Sequence, residues 1–218
     1  MLTLASNSPR RSELLALGGW MFNVRPVEVN ECQNPGEAPG DYVLRLAESK
    51  ARACGAGVHK DSTIVSADTA VVVDGYILGK PKGMTEAVEM LTRLRGRRHQ
   101  VYTAIAVLRM VDGNLLTDLC VTDVPMRAYS DEEMTAYVAT GDPLDKAGAY
   151  AIQHPKFQPV EHLTGCFASV MGLPLCHLER TLRKLEVSPA ADVPGNCQSF
   201  LNYQCPISRL VLRGEQVG

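Results

Sequence analysis

The chain has 218 residues, with 22 Lys and Arg against 24 Asp and Glu, a formal net charge of -2 and 45% hydrophobic residues. This composition is typical of a globular protein and excludes the disordered and fibrous classes. The balanced charge argues against binding to polymeric nucleic acid. No run approaches the ~18 apolar residues of a membrane helix, and the N-terminus lacks the pattern of a secretory signal.

Strand and helix patterns mix along the first half of the chain. A short strand leads to a helix that begins at Ser8-Pro9, since Ser is a good N-cap and Pro suits the first helical position. Asp74-Gly75 between two apolar runs is a strong hairpin signal. The predicted elements are a strand at 2–5, a helix from Ser8 to Gly18-Gly19, a β-rich run at 24–29, a helix at 41–54, a strand at 64–67, a hairpin at 71–73 and 76–78, and a helix at 85–95.

The second half predicts further strands and helices. Ser130 and Glu133 form the capping-box pattern of a helix that ends near Gly141. The other predicted elements are long strands at 99–110 and 115–125, strands at 149–152 and 167–171, and a helix at 174–185. Hairpins therefore occur together with helical crossovers, which predicts an α/β (mixed α+β) class with a mixed sheet flanked by helices.

The composition changes after residue 186, where Pro and Gly interrupt a polar stretch. We therefore expect one catalytic domain at 1–186 and a C-terminal extension at 187–218. The seven cysteines include no Cys-x-x-Cys pair, which favours reduced thiols and a cytoplasmic location. His162, Cys166 and Cys176-His177 fit no standard zinc spacing, so buried thiols are favoured over a zinc site.

The first candidate site is the segment from Ser6 through Ser8 to Arg10 and Arg11. A strand leads here into a helix N-terminus, where free N–H groups and the helix dipole attract an anion. Two arginines oppose that dipole unless an anionic ligand is bound, and Arg grips phosphate oxygens well. An ordinary Ser-Pro cap with two solvated arginines is an equally good interpretation.

The second candidate site is Asp68-Thr69, which we expect at the C-terminal edge of a buried strand. A carboxylate there can bind Mg²⁺ or orient a water for attack on phosphorus, although a turn-capping Asp is the commoner case. The hairpin would fold Lys80, from Gly79-Lys80-Pro81, back toward Asp68.

Glu31 and Lys50 are further candidates, although each alone is typical of solvated surface. Combined with Asp68, Lys80 and the two arginines they make two carboxylates and four cations. This set of charged side chains suits the binding of a polyphosphate together with a metal ion.

Two other segments have a structural and a functional interpretation. In the 145–153 segment small residues permit close approach of a flat ligand, and Gln153 suits a base edge, but tight packing is favoured. The four arginines at 93, 95, 97 and 98 surround a helix C-terminus, so capping is favoured over RNA contact.

These motifs together resemble the Maf family, over residues 2–185 and in matching order. The matching segments are Leu4-Ala-Ser-Asn-Ser-Pro-Arg-Arg-Ser-Glu-Leu-Leu15, Glu48-Ser-Lys-Ala-Arg-Ala53, Ala67-Asp-Thr69, Ile77-Leu-Gly-Lys-Pro81, Leu94-Arg-Gly-Arg-Arg-His-Gln-Val101, Asp145-Lys-Ala-Gly-Ala-Tyr-Ala-Ile-Gln153 and Val170-Met-Gly-Leu-Pro-Leu175.

The resemblance implies a Maf/ITPase-like elongated fold with a cleft between two lobes, and a homodimer. It also implies a metal-dependent nucleoside triphosphate pyrophosphatase that cleaves between the α and β phosphates. The late motif is similar to that of the subgroup that prefers dTTP and UTP, modified pyrimidine nucleotides included, and unlike that of the subgroup acting on 7-methyl-GTP. The alternative is a nucleotide-binding regulator of septum formation with little turnover.

The resemblance also assigns roles to residues. Catalytic roles fall to Asp68, Glu31 and Lys80, and Glu31 and Asp68 would bind Mg²⁺ or Mn²⁺. The substrate-binding set is Ser6, Ser8, Arg10, Arg11, Lys50, Thr69 and Gln153. Two departures affect this assignment: Asn30 stands where the family commonly has an acid, and His154 where it usually has Gly.

Overall fold

The computed structural model describes residues 1–218 as a mixed sheet with helices on both faces. The strands are β1 (Leu2–Leu4), β2 (Phe22–Val24), β3 (Thr63–Val73), β4 (Tyr76–Leu78), β5 (Arg98–Arg109) and β6 (Asn114–Pro125). The helices are α1 (Pro9–Ala16), α2 (Pro39–Gly55), α3 (Met84–Leu94), α4 (Asp131–Ala139), α5 (Phe167–Met171), α6 (Leu175–Arg183), α7 (Val193–Leu201) and α8 (Ser208–Leu212). The predicted mixed α/β class is confirmed.

The sheet order is β2-β1-β3-β5-β6, and the long strand β3 organises it. On one side β3 pairs antiparallel with β5 along almost its whole length. On the other side it pairs in parallel with β1 at 63–65 and antiparallel with β4 at 71–73. Residues 66–70 therefore have no strand partner on that side. This opening in the sheet positions the site described below.

The two faces of β3 pack against different cores. Ile64 and Val72 belong to a small core under α2, whereas Val65 and Val71 belong to the large core on the opposite face. Because successive side chains of a strand point to opposite faces, Asp68 lies on the α2 side. Its neighbour Thr69 lies on the other side. At the opening, these two adjacent residues therefore place one side chain on each face of the sheet.

Two strand predictions are wrong. The predicted strand at 149–152 is irregular chain after a 3-10 turn at Ala147–Ala149, because Gly148 has φ +68° and Ala149 φ +59°. The predicted strand at 167–171 is helix α5: the Cys166 sulfur accepts a hydrogen bond from the Ser169 amide. A short apolar run does not distinguish a strand from a buried helical turn. In the β-rich run at 24–29, strand pairing stops at residue 24.

The expected position of Asp68 at the C-terminal edge of a strand is wrong, because the two apolar runs around it form one continuous strand and Asp68 lies at its centre. Several other predictions are confirmed, with different bounds. The β3–β4 hairpin is present. Helix α4 has its capping box: the Ser130 hydroxyl accepts from the Glu133 amide at 3.2 Å, and the Glu133 carboxylate accepts from the Ser130 amide at 2.8 Å.

The C-terminal segment packs on the rest of the protein. Val193 of α7 and Val211 of α8 are buried in the large core. Arg180 donates hydrogen bonds to the carbonyl oxygens of Val211 at 3.2 Å and Glu215 at 2.6 Å. These contacts fix the position of α7 and α8 relative to α6. The boundary at 186 between a catalytic domain and an extension stays a prediction.

All seven cysteines are free thiols. Four of them line a cavity of about 20 Å³ between α5, α6 and the C-terminal segment: Cys166, Cys176, Cys197 and Cys205. Burial raises the pKa of Cys197 to about 12, so this thiol stays protonated at neutral pH. None of the helices has the length and apolarity needed to cross a membrane.

Candidate active site

The opening beside β3 leads into a cleft of about 570 Å³. Its walls come from the β1–α1 connection, the β3–β4 hairpin, helix α2 and the 145–153 segment. The ten residues of the predicted site all line it: Ser6, Ser8, Arg10, Arg11, Glu31, Lys50, Asp68, Thr69, Lys80 and Gln153. The fold thus brings together residues that lie up to 147 positions apart in the sequence.

Lys50 joins the two acids of the cleft. Its Nζ lies 2.6 Å from Oδ1 of Asp68 and 2.7 Å from Oε1 of Glu31. The side chains of Lys50 and Asp68 are only 12% and 10% exposed, whereas that of Glu31 is 56% exposed. Lys50 extends from α2 across the small core face to β3. The pair on the sheet is therefore buried, and the second acid stands at the mouth of the cleft.

The two carboxylates have pKa values shifted in opposite directions. Burial raises the pKa of Asp68 above its usual value, against the opposing charges of Lys50 and Arg11. Desolvation by itself would also raise the pKa of Glu31, but the hydrogen bond and the positive charge of Lys50 outweigh this effect. The pKa of Glu31 is therefore lowered. The arrangement gives one carboxylate suited to accepting a proton and one that stays ionised.

Arg11 is held by neutral groups from three elements. Its Nε donates to the Gly172 carbonyl at 2.8 Å, and its Nη atoms donate to the hydroxyls of Ser6 at 3.3 Å and Thr69 at 3.2 Å. The Thr69 hydroxyl lies 3.1 Å from that of Thr103. A buried guanidinium with no carboxylate in direct contact keeps its positive charge available to an anion.

The N-terminus of α1 is open. Ser8 stands at the N-cap, but its side chain makes no capping hydrogen bond, contrary to the cap expected from the sequence. Instead the Ser6 hydroxyl accepts from the Ser8 amide at 3.2 Å. The first turn of α1 contains no acidic residue. Its free amides and the Ser8 hydroxyl are therefore available to a ligand at the positive end of the helix dipole.

Arg10 and Lys80 are the least engaged cations of the cleft. Arg10 has one distant ion pair, with 4.0 Å between its Nη1 and Oδ2 of Asp145. Lys80 is exposed, and its charge contributes to lowering the pKa of Glu31. These two side chains can turn toward a negatively charged ligand without breaking a strong contact.

The 145–149 segment is held tightly against the hairpin. The Gly148 amide donates to the Gly79 carbonyl at 3.0 Å, and a Cβ at Gly148 would lie 2.8 Å from Cγ1 of Val71. Lys146 is buried, and its Nζ contacts Oδ1 of Asp145 at 2.7 Å. The small residues here permit packing of backbone on β3. Gln153 itself is exposed at the end of the cleft.

Glu31 and Asp68 fit a divalent cation. Each contacts Lys50 through one oxygen, and neither second oxygen is hydrogen-bonded to the protein. Hard oxygen donors of this kind suit Mg²⁺ and Mn²⁺. No group of three or more His, Cys, Asp and Glu side chains converges in a metal-binding arrangement. Remaining ligands would come from phosphate oxygens and water, as is usual for Mg²⁺ at nucleotide sites.

The two departures from the family pattern have local partners. The Asn30 side-chain oxygen accepts from the Cys32 amide at 3.0 Å. His154 Nδ1 accepts from the Phe157 amide at 2.9 Å, and its ring lies 4.7 Å from that of Tyr137. Both residues therefore stabilise their own loops.

The arginine run at 93–98 lies outside the cleft. Arg93 and Arg97 both contact Asp74 of the hairpin, at 3.5 and 2.6 Å, and Arg95 contacts Asp131 at 2.6 Å. The expected role of these side chains in capping the end of α3 is minor, since only the Arg97 side chain donates to a carbonyl of that helix, at 3.4 Å. These side chains mainly form surface ion pairs between elements.

Sequence reasoning missed three residues at the cleft. Thr103 is buried on β5 and links Thr69 to the Ser169 carbonyl, which it contacts at 2.9 Å. Lys146 lines the cleft, and the sequence marks it only as one residue of the 145–153 segment. Tyr42 donates from its hydroxyl to the Glu31 carbonyl at 3.0 Å and so fixes the loop that carries this acid. In the sequence, Thr103 is marked only as a hydroxyl-bearing residue within an otherwise apolar strand.

The family described as Maf-like protein matches residues 1–185. A dTTP/UTP pyrophosphatase of Geobacter metallireducens is 46% identical over 84% of this chain and 95% of its own length. One of Dehalococcoides mccartyi is 37% identical over 96% of this chain and 95% of its own. The solved Ham1 protein of Staphylococcus aureus is 15% identical, with a TM-score of 0.44, over 92% of this chain and 97% of that one. The family match and the curated relatives show that this chain belongs to the Maf family.

Proposed function

We propose that this protein is a nucleoside triphosphate pyrophosphatase that hydrolyses dTTP and UTP to the monophosphate and pyrophosphate. The observation that carries the proposal is the cleft in which Lys50 joins Glu31 and Asp68 beside Arg10, Arg11 and Lys80. Two acids facing four cations suit a metal-bound triphosphate. Curated relatives at 37–46% identity, named dTTP/UTP pyrophosphatase, support the reaction and the substrates.

The triphosphate would be bound by the open cations and the helix end. Arg10 and Lys80 are free to contact phosphate oxygens, and the amides at the start of α1 add neutral donors. Arg11 is already fixed by Ser6 and Thr69, so its charge is preorganised. Preorganised donors stabilise the charge that develops on the leaving pyrophosphate.

Glu31 and Asp68 would hold Mg²⁺ or Mn²⁺ with the triphosphate. When bound, the cation neutralises phosphate charge and polarises the phosphoryl oxygens. Lys50 keeps the two carboxylates beside each other by contacting both.

Asp68 is the proposed general base. Its raised pKa and its place on a rigid central strand suit proton acceptance from water. The water oxygen bonds to the α-phosphorus while the bond from that phosphorus to the α–β bridging oxygen breaks. The electron pair leaves with pyrophosphate, and the water proton passes to Asp68. Gln153, which is exposed at the end of the cleft, would contact the base.

Three further features belong to the proposal. The resemblance supports a homodimer, and seven free thiols support a cytoplasmic location. Catalysis would be carried by residues 1–186.

A product assay in ¹⁸O-labelled water tests the reaction. The full chain with Mg²⁺ is incubated with dTTP, UTP, dCTP, dATP and dGTP, and products are separated by ion exchange. We expect dTTP and UTP to be the best substrates, and the label to appear in the monophosphate, because water attacks the α-phosphorus. Release of single phosphates, label in the pyrophosphate, or no turnover of any substrate would contradict the proposal.

A further inference from the structure

A second cavity of about 370 Å³ adjoins the cleft. The two share three lining residues, Ile152, Gln153 and Met171, so they lie directly side by side. A volume of this size lies in the range of small-molecule sites. A ligand whose charged end lies at Arg10 and Arg11 could therefore extend past Gln153 into this second space.

The far wall of the second cavity comes from α7. Phe200 and Leu201 line it, and both lie beyond residue 185, where the family match ends. The wall is fixed in place: Asn196 of the same helix donates to the Leu17 carbonyl at 2.9 Å. Tyr203, just after α7, donates from its hydroxyl to the Gly165 carbonyl at 2.8 Å. The C-terminal segment is thus a built part of this cavity.

The lining suits an aromatic, uncharged group. Phe167 and Phe200 provide aromatic rings. Phe200 lies on a helix that packs on the protein, yet it remains 49% exposed. Gln153 and Gln158 provide amides that can donate and accept. No Lys or Arg lines the cavity, and its one acid is Glu13, so a phosphate is disfavoured there. Nucleobases stack on aromatic side chains and hydrogen-bond through their edges.

We propose that Phe200 is a substrate-binding residue that forms one wall of the pocket for the substrate's nucleobase. The proposal rests on the proposed function for the location of the triphosphate. It assigns the C-terminal segment a role in binding the pyrimidine base, while the phosphates occupy the cleft.

Isothermal titration calorimetry with two probes measures binding of the base and binding of the phosphates separately. The probes are dTMP, which carries the base and one phosphate, and inorganic tripolyphosphate, which carries no base. Phe200→Ala is expected to weaken dTMP binding about tenfold, because it removes the ring on which the base stacks. Tripolyphosphate affinity should stay within about twofold of wild type. Phe200→Tyr keeps a ring and is expected to retain dTMP binding.

Ser199→Ala, an exposed neighbour on α7, is the matched control and should bind both probes like wild type. Unchanged dTMP affinity in Phe200→Ala, or equal weakening of both probes, would overturn the inference. Because dTMP binding requires no turnover, the outcome is independent of the activity assay. A protein that binds dTMP through Phe200 but does not cleave dTTP would refute the proposed function alone.

Discussion

Two buried ion pairs link elements of this protein, and they differ in how fully each carboxylate is bonded. Asp118 of β6 accepts three hydrogen bonds of 2.7–3.0 Å from the Arg180 guanidinium, and Arg180 donates to two carbonyls as well. Asp68 of β3 accepts one, from Lys50, at 2.6 Å. In the first pair both carboxylate oxygens are hydrogen-bonded to the arginine. The second pair borders a cleft and shares its lysine with Glu31.

The difference separates a structural pair from a ligand-binding one. A buried carboxylate whose oxygens are saturated by an arginine has no capacity left for a ligand. A buried carboxylate with one uncommitted oxygen beside a cleft is costly unless something else binds there. The number of unfilled hydrogen-bonding positions, rather than burial, therefore indicates which acid takes part in chemistry.

Replacement of Asp68 should give the largest effect, on the rate. Asp68→Asn removes the proton acceptor and one proposed metal ligand, so kcat for dTTP should fall by about 10³-fold or more. Because Lys50 keeps Glu31 as a counter-charge, the isosteric amide should leave folding intact, as measured by urea unfolding. Asp61→Asn, an exposed acid away from the cleft, is the control and should keep wild-type kcat. Retention of kcat in Asp68→Asn would refute the assignment.

Replacement of Asp118 should affect stability instead. Asp118→Asn leaves Arg180 buried without its counter-charge, which costs about 3–5 kcal/mol. The free energy of unfolding in urea measures this loss, and kcat of the folded fraction should remain at the wild-type value. A loss below about 1 kcal/mol, or a fall in kcat at unchanged stability, would remove the distinction between the two pairs.

A smaller, pH-dependent effect should come from His99, a buried group that forms no ion pair and whose desolvation outweighs the opposing charge of Asp123. Burial lowers the pKa of His99 to about 4, and its Nε2 lies 2.8 Å from the Tyr150 hydroxyl. The unfolded chain binds a proton near pH 6.5, before the folded chain does. The stability contribution of neutral His99 is therefore full above pH 6.5 and is lost as the pH falls toward 4.

His99→Gln should remove this dependence. Between pH 7 and pH 4.5 wild type should lose about 2 kcal/mol more unfolding free energy than the variant, because each pKa unit corresponds to about 1.4 kcal/mol. Urea unfolding at both pH values measures the difference. Identical losses in wild type and variant would show that His99 is not held neutral.

Local patterns predicted the elements that carry the site, but not how its atoms meet. Turn and capping signals identified the β3–β4 hairpin and α4, and the resemblance of the motifs to the Maf family identified the ten cleft residues. The contact of one lysine with two acids depends on α2 crossing the face of β3, which is a tertiary arrangement. Sequence patterns contain no information on such crossings beyond which face is apolar.

The errors also have physical causes. The run at 167–171 has strand-like composition, but capping by Cys166 and packing on the large core favour a helical turn. Strand pairing at 149–152 is excluded by the positive φ of Ala149, which local composition did not reveal. The contribution of Phe200 to a cavity near Gln153 joins segments 47 residues apart, and no motif marks it.

The opening in the sheet leaves one side of residues 66–70 in β3 without a strand partner, although β3 is a central strand. Backbone groups of residues 66–70 on that side resemble those of an exposed edge strand, although the strand is buried. Amides that point into the opening should exchange with deuterium faster than those paired with β5. Since a central strand elsewhere would be among the slowest to exchange, this stretch reports directly on occupancy of the cleft.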